Sequence, residues 1–216
     1  MANSCHMAKS CQRGALPLAV RFNRPMAPSE KQRIVLVSGP PGSGKTSLAR
    51  PLAERLGFAL LSKDDIKETL FTALEGVAGD AEFSRRIGAA AMEVLWALEP
   101  RCPAVVLEAN FRTRSTYERA KVAALLEKAG TELVEVYCRV PGEEASRRFG
   151  ERARAERHHP AHVLREMPPD RIAEYEEPFG LSTVIEVDTQ KPVDIEALAK
   201  QVAAGWARQA SQKVLH

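Results

Sequence analysis

The sequence has little cysteine, no strong excess of either charge and no long apolar run. Four cysteines occur in 216 residues, and none of them forms a C-x-x-C pair. A disulfide scaffold is therefore disfavoured, a reducing cytoplasmic location fits best, and Cys138 is expected to be a reduced core thiol. Every apolar run is shorter than a membrane span, so we expect no membrane partner.

The charge balance also limits the classes of partner. The chain has 31 basic and 28 acidic residues, a net charge of +3, and this small excess does not indicate a dedicated nucleic-acid-binding surface. The hydrophobic fraction of 44% and the charged fraction of 27% are ordinary for a soluble globular protein. The length suits one α/β domain with a well-buried core.

The first 31 residues differ from the rest of the chain. They combine arginines, prolines and small residues without sustained periodicity, and Pro17 interrupts their one apolar stretch. We expect a disordered N-terminal extension, or a misassigned start with Met26 as an alternative first residue. The folded domain is predicted to span residues 32–210.

The most informative motif is the stretch 39–46, which fits the phosphate-binding pattern G-x-x-x-x-G-K-[ST]. A short β-branched run at 34–37 precedes it, and apolar residues at helical spacing follow it. In this setting, backbone N–H groups and the helix N-terminus surround an anion, the lysine reaches the β- and γ-phosphates, and the threonine hydroxyl ligates Mg²⁺. The predicted nucleotide-binding residues are Gly39, Pro40, Pro41, Gly42, Ser43, Gly44, Lys45, Thr46 and Ser47.

Strands and helices alternate along the remainder of the domain. Apolar runs predict strands at 34–37, 58–62, 104–108, 133–138 and 184–187, and helical periodicity is clearest at 81–98, 116–128 and 194–210. This alternation predicts an α/β fold: a three-layer sandwich with a five-stranded parallel sheet and helices on both faces.

Acidic residues follow two of the predicted strands, at the sheet edge where ligands of such folds bind. Asp64 is expected to accept the proton of an attacking hydroxyl; the alternative is that Asp64 or Asp65 caps the next helix. Glu108 is expected to contact the coordination shell of Mg²⁺, either directly or through a water molecule.

Arginines supply the predicted cationic groups. Asn110 and Arg112 follow the third strand and are expected to hold substrate or phosphate, although Arg112 and Arg114 also fit a solvated pair. Arg148 and Arg152 are four residues apart and predict a mobile lid, at about 144–162, that neutralises the transferred phosphate. The alternative is an exposed helix with i,i+4 ion pairs.

Three histidines follow that segment, at positions 158, 159 and 162. Pro160 intervenes, and no cysteine or carboxylate pattern accompanies them. Zinc binding is therefore not favoured.

Together these residues resemble the P-loop kinases of the zeta-toxin-like, AAA_33-type group, which is related to chloramphenicol phosphotransferase and to polynucleotide kinase domains. The resemblance covers roughly residues 33–202. It is carried by the phosphate loop, by a D-x-x-[KR] element at Asp64 to Lys67, by the strand end 108–112 and by the two lid arginines. It implies ATP and Mg²⁺ as cofactors, Asp64 as the catalytic base, and phosphate contacts from Arg112, Arg148 and Arg152.

The expected function is an ATP-dependent kinase acting on a hydroxyl of a small molecule, with Asp64, Lys67, Asn110 and Arg112 on the substrate side. One alternative is a polynucleotide 5′-kinase or a toxin that phosphorylates a nucleotide-sugar. Polynucleotide kinases place Arg where this chain has Lys67, which weakens that reading. An alternative of another class is a nucleotide-dependent switch or regulatory ATPase.

Overall fold

A computed structural model describes residues 31–155 and 158–213, with backbone only for 169–170 and 210–213. The predicted extension at 1–30 and residues Glu156 and Arg157 of the predicted lid lie outside the described residues.

One parallel sheet forms the centre of the fold. Its strands are β1 (Gln32–Ser38), β2 (Ala59–Ser62), β3 (Ala104–Glu108), β4 (Thr131–Arg139) and β5 (Thr183–Asp188), in the spatial order β2-β3-β1-β4-β5. All four neighbouring pairs are parallel. Parallel strands need crossover connections, and helices lie in all four of the segments between consecutive strands.

Seven helices accompany the sheet in the described part of the chain. They are α1 (Lys45–Leu56), α2 (Lys63–Ala73), α3 (Ala81–Leu98), α4 (Thr116–Glu127), α5 (Gly142–Arg154), the single turn α6 (Pro169–Ile172) and α7 (Ile195–Lys213). Short 3₁₀ turns occupy Glu99–Arg101 and Ala173–Tyr175. No helix within these described residues is long and apolar enough to cross a membrane.

The core has two layers because successive strand side chains point to opposite faces of the sheet. On β1, Val35 and Val37 face one layer, which includes Leu52 of α1 and Val202 of α7. The alternate residues Ile34 and Leu36 face the other layer, which is built with the following side chains of α3 and α4: Leu95, Trp96, Val122 and Leu125. Helices therefore cover both faces, as the sequence predicts.

The predicted fold class is confirmed, and most element bounds agree closely. Helix α3 and strand β3 have the predicted bounds, while β4 begins two residues earlier than predicted and α7 continues to Lys213. Cys138 is fully buried and free, as expected. Since all five strands run in one direction, the segments that follow β1, β2 and β3 begin at one edge of the sheet.

Candidate active site

The phosphate loop (residues 39–46) joins β1 to α1 in a conformation that requires glycine. Gly39 and Gly42 have φ values of 132° and 86°. A Cβ at Gly39 would lie 2.5 Å from the Cys138 carbonyl oxygen, and one at Gly42 would lie 2.2 Å from the Ala145 carbonyl oxygen. The loop therefore packs backbone to backbone against β4 and α5, which explains its glycines beyond their turn-forming role.

Lys45 is the buried cation of the loop. It is only 4% exposed, and its Nζ donates to the Pro40 carbonyl oxygen at 2.7 Å and to Ser43 Oγ at 3.5 Å. Burial lowers the pKa of Lys45, while the negative charge of Glu108 acts in the opposite direction. The ammonium is thus held against the loop by neutral oxygens, a weak set of partners for a buried charge.

Glu108, at the end of β3, connects the loop to β2. It is 3% exposed; its Oε2 accepts from Ser62 Oγ at 2.6 Å and its Oε1 accepts from Thr46 Oγ1 at 3.4 Å. Burial raises the pKa of Glu108, and the nearby Lys45 opposes that rise. The threonine hydroxyl and the glutamate carboxylate that were predicted to meet Mg²⁺ are therefore adjacent, and both are the oxygen ligands that this ion prefers.

Asp64 lies in the first turn of α2, with its side chain 26% exposed and Oδ1 3.2 Å from Lys63 Nζ. Burial alone would raise the pKa of Asp64, but the charges of Lys63 and His162 and the hydrogen bond from Lys63 lower it to about 2. The carboxylate is therefore ionised at neutral pH.

The alternative role of the aspartates as helix caps is wrong. Ser62 is the N-cap of α2, and its Oγ accepts from the Asp65 N–H at 3.5 Å. Asp65 lies on the surface, where Arg50 Nη2 donates to both of its carboxylate oxygens at 2.8 Å. Asp64 and Asp65 are thus neighbours in sequence with quite different surroundings.

A single cleft at the carboxyl edge brings most of the predicted residues together. Its lining side chains and backbone come from the phosphate loop, the starts of α1 and α2, the end of β3 and helix α5: Gly42, Gly44, Lys45, Thr46, Ser47, Asp64, Glu108, Asn110 and Arg152. The other predicted loop residues, Gly39, Pro40, Pro41 and Ser43, are not among the residues that line the cleft.

The two predicted lid arginines have different positions. Arg152 lines the cleft, with its guanidinium 5.6 Å from the centre of the Phe149 ring. Arg148 donates from Nε to Glu144 at 2.6 Å and from Nη1 to the Thr189 carbonyl oxygen at 3.2 Å. Arg147, by contrast, forms i,i+3 and i,i+4 pairs with Glu144 and Glu151 on the exposed side of α5. Arg147 and Arg148 therefore form the i,i+4 ion pairs of the alternative interpretation, Arg152 lines the cleft, and the lid stays a prediction.

Arg112 does not line the cleft. Its side chain is 60% exposed, its Nε lies 3.6 Å from Glu118 Oε1, and its backbone N–H donates to Glu118 Oε2 at 2.7 Å. Arg114 is also exposed and lies 3.6 Å from Glu177. Lys67 is buried and donates to Ser84 Oγ rather than to a residue of the cleft.

The sequence interpretation missed several neighbours of the site. Lys63 is adjacent to Asp64 in the sequence and Glu118 is only six residues from Arg112, whereas His162 comes from a distant part of the chain. His162 Nε2 lies 3.0 Å from Glu68 Oε1 across 94 residues of sequence. Among residues 31–155 and 158–213, no group of three or more His, Cys, Asp or Glu side chains is arranged to hold a metal ion.

A family model described as an AAA domain (AAA_33) matches residues 34–172, more than half of the chain. The chain belongs to this AAA domain family. The resemblance to P-loop kinases of the AAA_33 type is thereby confirmed, and the fold is that of a P-loop kinase.

One solved structure supports this assignment, and others are similar to the chain. A candidate kinase from Chloroflexus aurantiacus J-10-fl is 27% identical, covers 81% of this chain and 98% of its own, and has a TM-score of 0.68. A gluconokinase from Sinorhizobium meliloti 1021 (20% identity, 86% and 97% coverage, TM-score 0.46) and a shikimate kinase from Acinetobacter baumannii in complex with shikimate (22%, 80% and 91%, TM-score 0.48) are more distant. A comparison with curated proteins found no match.

Replacing Gly42 by alanine tests the packing of the phosphate loop against α5. The new Cβ would overlap the Ala145 carbonyl oxygen, so the loop and α5 must separate, and we expect affinity for an ATP analogue to fall by about tenfold or more as the loop N–H groups lose their alignment. Titration with a fluorescent ATP analogue measures this change.

Gly57→Ala is the matched control. Gly57 also has a positive φ, 68°, but a Cβ there would meet nothing within 4 Å. It should cost about 1–2 kcal/mol of stability through backbone strain and leave nucleotide affinity unchanged. Equal losses of affinity in both variants would contradict the packing argument.

Proposed function

We propose that this protein is an ATP-dependent phosphotransferase that moves the γ-phosphoryl group of ATP to a hydroxyl of a small-molecule acceptor. The observation that carries the proposal is the convergence of Lys45, Thr46, Glu108, Asp64 and Arg152 on one cleft. Phosphoryl transfer needs a phosphate cradle, cationic groups for the transferred oxygens and a carboxylate for the attacking hydroxyl, and residues suited to each of these three tasks line this cleft.

The nucleotide side of the cleft is the phosphate loop. Its backbone N–H groups and the N-terminus of α1 would bind the phosphates of ATP. Lys45 would exchange its neutral partners, Pro40 O and Ser43 Oγ, for phosphate oxygens, which compensate its buried charge far better. Thr46 and Glu108 would hold the Mg²⁺ that accompanies ATP, directly or through water. When bound, this ion would neutralise part of the negative charge of the phosphates.

The acceptor side begins at Asp64. Its carboxylate would accept a hydrogen bond from the acceptor hydroxyl, orient that oxygen toward the γ-phosphorus and take its proton. Asn110 lines the same cleft after β3 and would contact the acceptor. Arg112 is assigned a substrate or phosphate contact, which requires it to leave Glu118 when ligands bind.

Cationic charge near the transferred group would come from α5. Arg152 lines the cleft and would stabilise the negative charge that develops on the equatorial oxygens in the transition state of phosphoryl transfer. Arg148 is assigned to the same lid; its bond to the Thr189 carbonyl oxygen joins α5 to the turn after β5. Because Arg152 of the same chain lines the cleft, no arginine from a second subunit is needed, and a regulatory ATPase that depends on one is the weaker hypothesis.

A phosphate-transfer screen tests the proposal. Labelled ATP is incubated with the protein and with hydroxylated antibiotics, nucleosides, sugars, sugar acids and 5′-hydroxyl oligonucleotides, and Lys45→Ala is the negative control. Label on a small hydroxyl compound supports the proposal. Label on the oligonucleotide or on a nucleotide-sugar supports the alternative kinases, and slow hydrolysis that no acceptor stimulates supports a nucleotide-dependent switch.

Asp64→Asn should keep nucleotide affinity within a few-fold and lower the transfer rate by about a hundredfold or more, because the amide cannot accept the proton. Asp65→Asn is the matched control, since that carboxylate is paired with Arg50 on the surface. Single-turnover transfer and nucleotide titration separate the two effects. A large rate loss in Asp65→Asn, or none in either variant, would exclude Asp64 as the base.

Arg152→Ala should lower kcat more than it raises the KM for ATP, because its charge is needed most in the transition state. The expected loss is about 2–4 kcal/mol in the barrier, against less than about 1 kcal/mol for an exposed ion pair. Arg147→Ala on the same helix is the control for the exposed case. Equal kinetic effects of the two substitutions would show that α5 acts only as a charged surface helix.

A further inference from the structure

The segment after α5 packs against helices α2 and α3. Ala161 is fully buried in a small apolar cluster with Phe71 of α2, and its carbonyl oxygen accepts from Ser84 Oγ of α3 at 2.6 Å. The ring of His159 meets the Phe71 ring edge to face, with the two ring centres 5.6 Å apart. These contacts on either side of Ala161 hold the segment in place and with it the next residue, His162.

His162 forms a carboxylate–imidazole pair with Glu68 of α2. Its Nε2 lies 3.0 Å from Glu68 Oε1, and the histidine side chain is 21% exposed. Because a carboxylate only accepts hydrogen bonds, Nε2 carries the hydrogen of this bond. In the neutral ring the other nitrogen, Nδ1, is then an acceptor, and it has no hydrogen-bond partner among the described residues.

This pair lies beside Asp64. Asp64 and Glu68 are four residues apart in α2, so both project from one helical face with Cβ atoms about 5–6 Å apart. An imidazole held at Glu68 is therefore close to the Asp64 carboxylate. The electrostatics agree with this placement: burial alone would raise the pKa of Asp64, and the positive charges of Lys63 and then His162 oppose that rise.

The His162 ring can take a proton at physiological pH. Burial lowers its pKa below the ordinary value of about 6.5, and the negative charge of Asp64 is the strongest influence in the other direction. The charged or titratable groups around the ring come from α2 and from its own segment: Lys63, Asp64, Lys67, Glu68, His158 and His159. Helix α3 meets the segment with Ser84 and Ile87, which do not titrate. The ring is therefore mostly neutral.

Asp64 by itself is a poor final acceptor of a proton. With its pKa at about 2, a proton that it takes from a hydroxyl is held only weakly. A neutral imidazole is much more basic than such a carboxylate, so passage of the proton from Asp64 to His162 is favourable. The partial exposure of the His162 ring then gives the proton a route to solvent.

We propose that His162 is the second acceptor of the proton that leaves the attacking hydroxyl, and that Glu68 is the positioning residue that holds its ring. The inference rests on the proposed kinase function. In the reaction the hydroxyl oxygen bonds to the γ-phosphorus, the bond from that phosphorus to the β,γ-bridging oxygen breaks and ADP leaves. The hydroxyl proton passes to Asp64 and then to Nδ1 of His162, and the resulting imidazolium releases it to solvent.

Histidine NMR tests the arrangement without turnover, in the nucleotide-free full chain labelled with ¹⁵N. The ring nitrogens of His162, assigned by comparison with His162→Gln, should show the Nε2–H tautomer when the ring is neutral. Asp64→Asn and Glu68→Gln each remove a negative charge and should lower the pKa of His162 further. Asp65→Asn is the control, since that carboxylate pairs with Arg50. An Nδ1–H tautomer, or a titration of His162 that Asp64→Asn does not shift, would overturn the inference.

The pH dependence of kcat tests the proton transfer itself. Wild-type transfer should slow as the pH falls from about 8 to about 5, because a protonated imidazole accepts no further proton. His162→Gln keeps an amide donor for Glu68 but cannot take the proton. We expect its kcat to fall about a hundredfold at neutral pH, the acid limb of the profile to disappear and the KM for ATP to change little.

His158→Gln is the matched control from the same segment. Its Nε2 lies 3.0 Å from the His162 carbonyl oxygen, so this substitution disturbs the segment without removing the proposed proton acceptor. It should keep the acid limb even if kcat falls. A wild-type rate that is constant over this pH range, or an unchanged acid limb in His162→Gln, would overturn the inference.

Hydrolysis of ATP separates this inference from the proposed function. Water then takes the place of the acceptor hydroxyl and its proton follows the same route, so the pH profile is measurable without an acceptor. An acid limb that depends on His162, with no transfer to any compound of the screen, would support the proton route and contradict the kinase proposal. Transfer to an acceptor without such a limb would leave the kinase proposal standing and overturn the inference. Absence of both reactions would contradict both.

Discussion

The parallel register of β1, β2 and β3 is the constraint on which the site depends. Val37 of β1 and Ser62 of β2 both pair with Glu108 of β3, so the three strands end level with one another. The phosphate loop, the start of α2 and the segment after β3 therefore begin side by side. The starts of α1 and α2 thus lie beside the end of β3, and this brings Thr46, Asp64 and Glu108 to one cleft.

The features that the sequence predicts well are those with local signals. The phosphate loop has a fixed spacing, the strands are short apolar runs, and α3 has a sustained apolar period that ends before Pro100, so its bounds are recovered at both ends. The edge at which the site forms follows as well, because residues that end parallel strands must lie together. For this reason Lys45, Thr46, Glu108, Asp64 and Asn110 were all predictable as neighbours.

The surroundings of each charged side chain are less predictable, because they depend on contacts between segments far apart in sequence. The spacing of Arg148 and Arg152 gives them a common helical face, but it does not reveal that the first meets the Thr189 carbonyl oxygen and the second the cleft. Lys67 has the right place in a D-x-x-[KR] element, yet its bond to Ser84 comes from the packing of α2 on α3. Helical periodicity predicts the face of a helix from which a side chain projects, whereas the partners of that side chain depend on how the helices and strands pack together.

The two carboxylates of the cleft, Glu108 and Asp64, have pKa values that their surroundings shift in opposite directions. Burial raises the pKa of Glu108, whereas the pKa of Asp64 is held at about 2 by Lys63 and His162 despite its burial. A carboxylate with so low a pKa is a weak base in the free protein. Arrival of a triphosphate adds negative charge near Asp64 and engages Lys45, whose positive charge also favours the Asp64 anion. Both changes act to raise the pKa of Asp64, and the positive charge of the Mg²⁺ that accompanies the nucleotide acts to lower it, so under the proposed function the balance of these charges sets the basicity of the carboxylate in the complex.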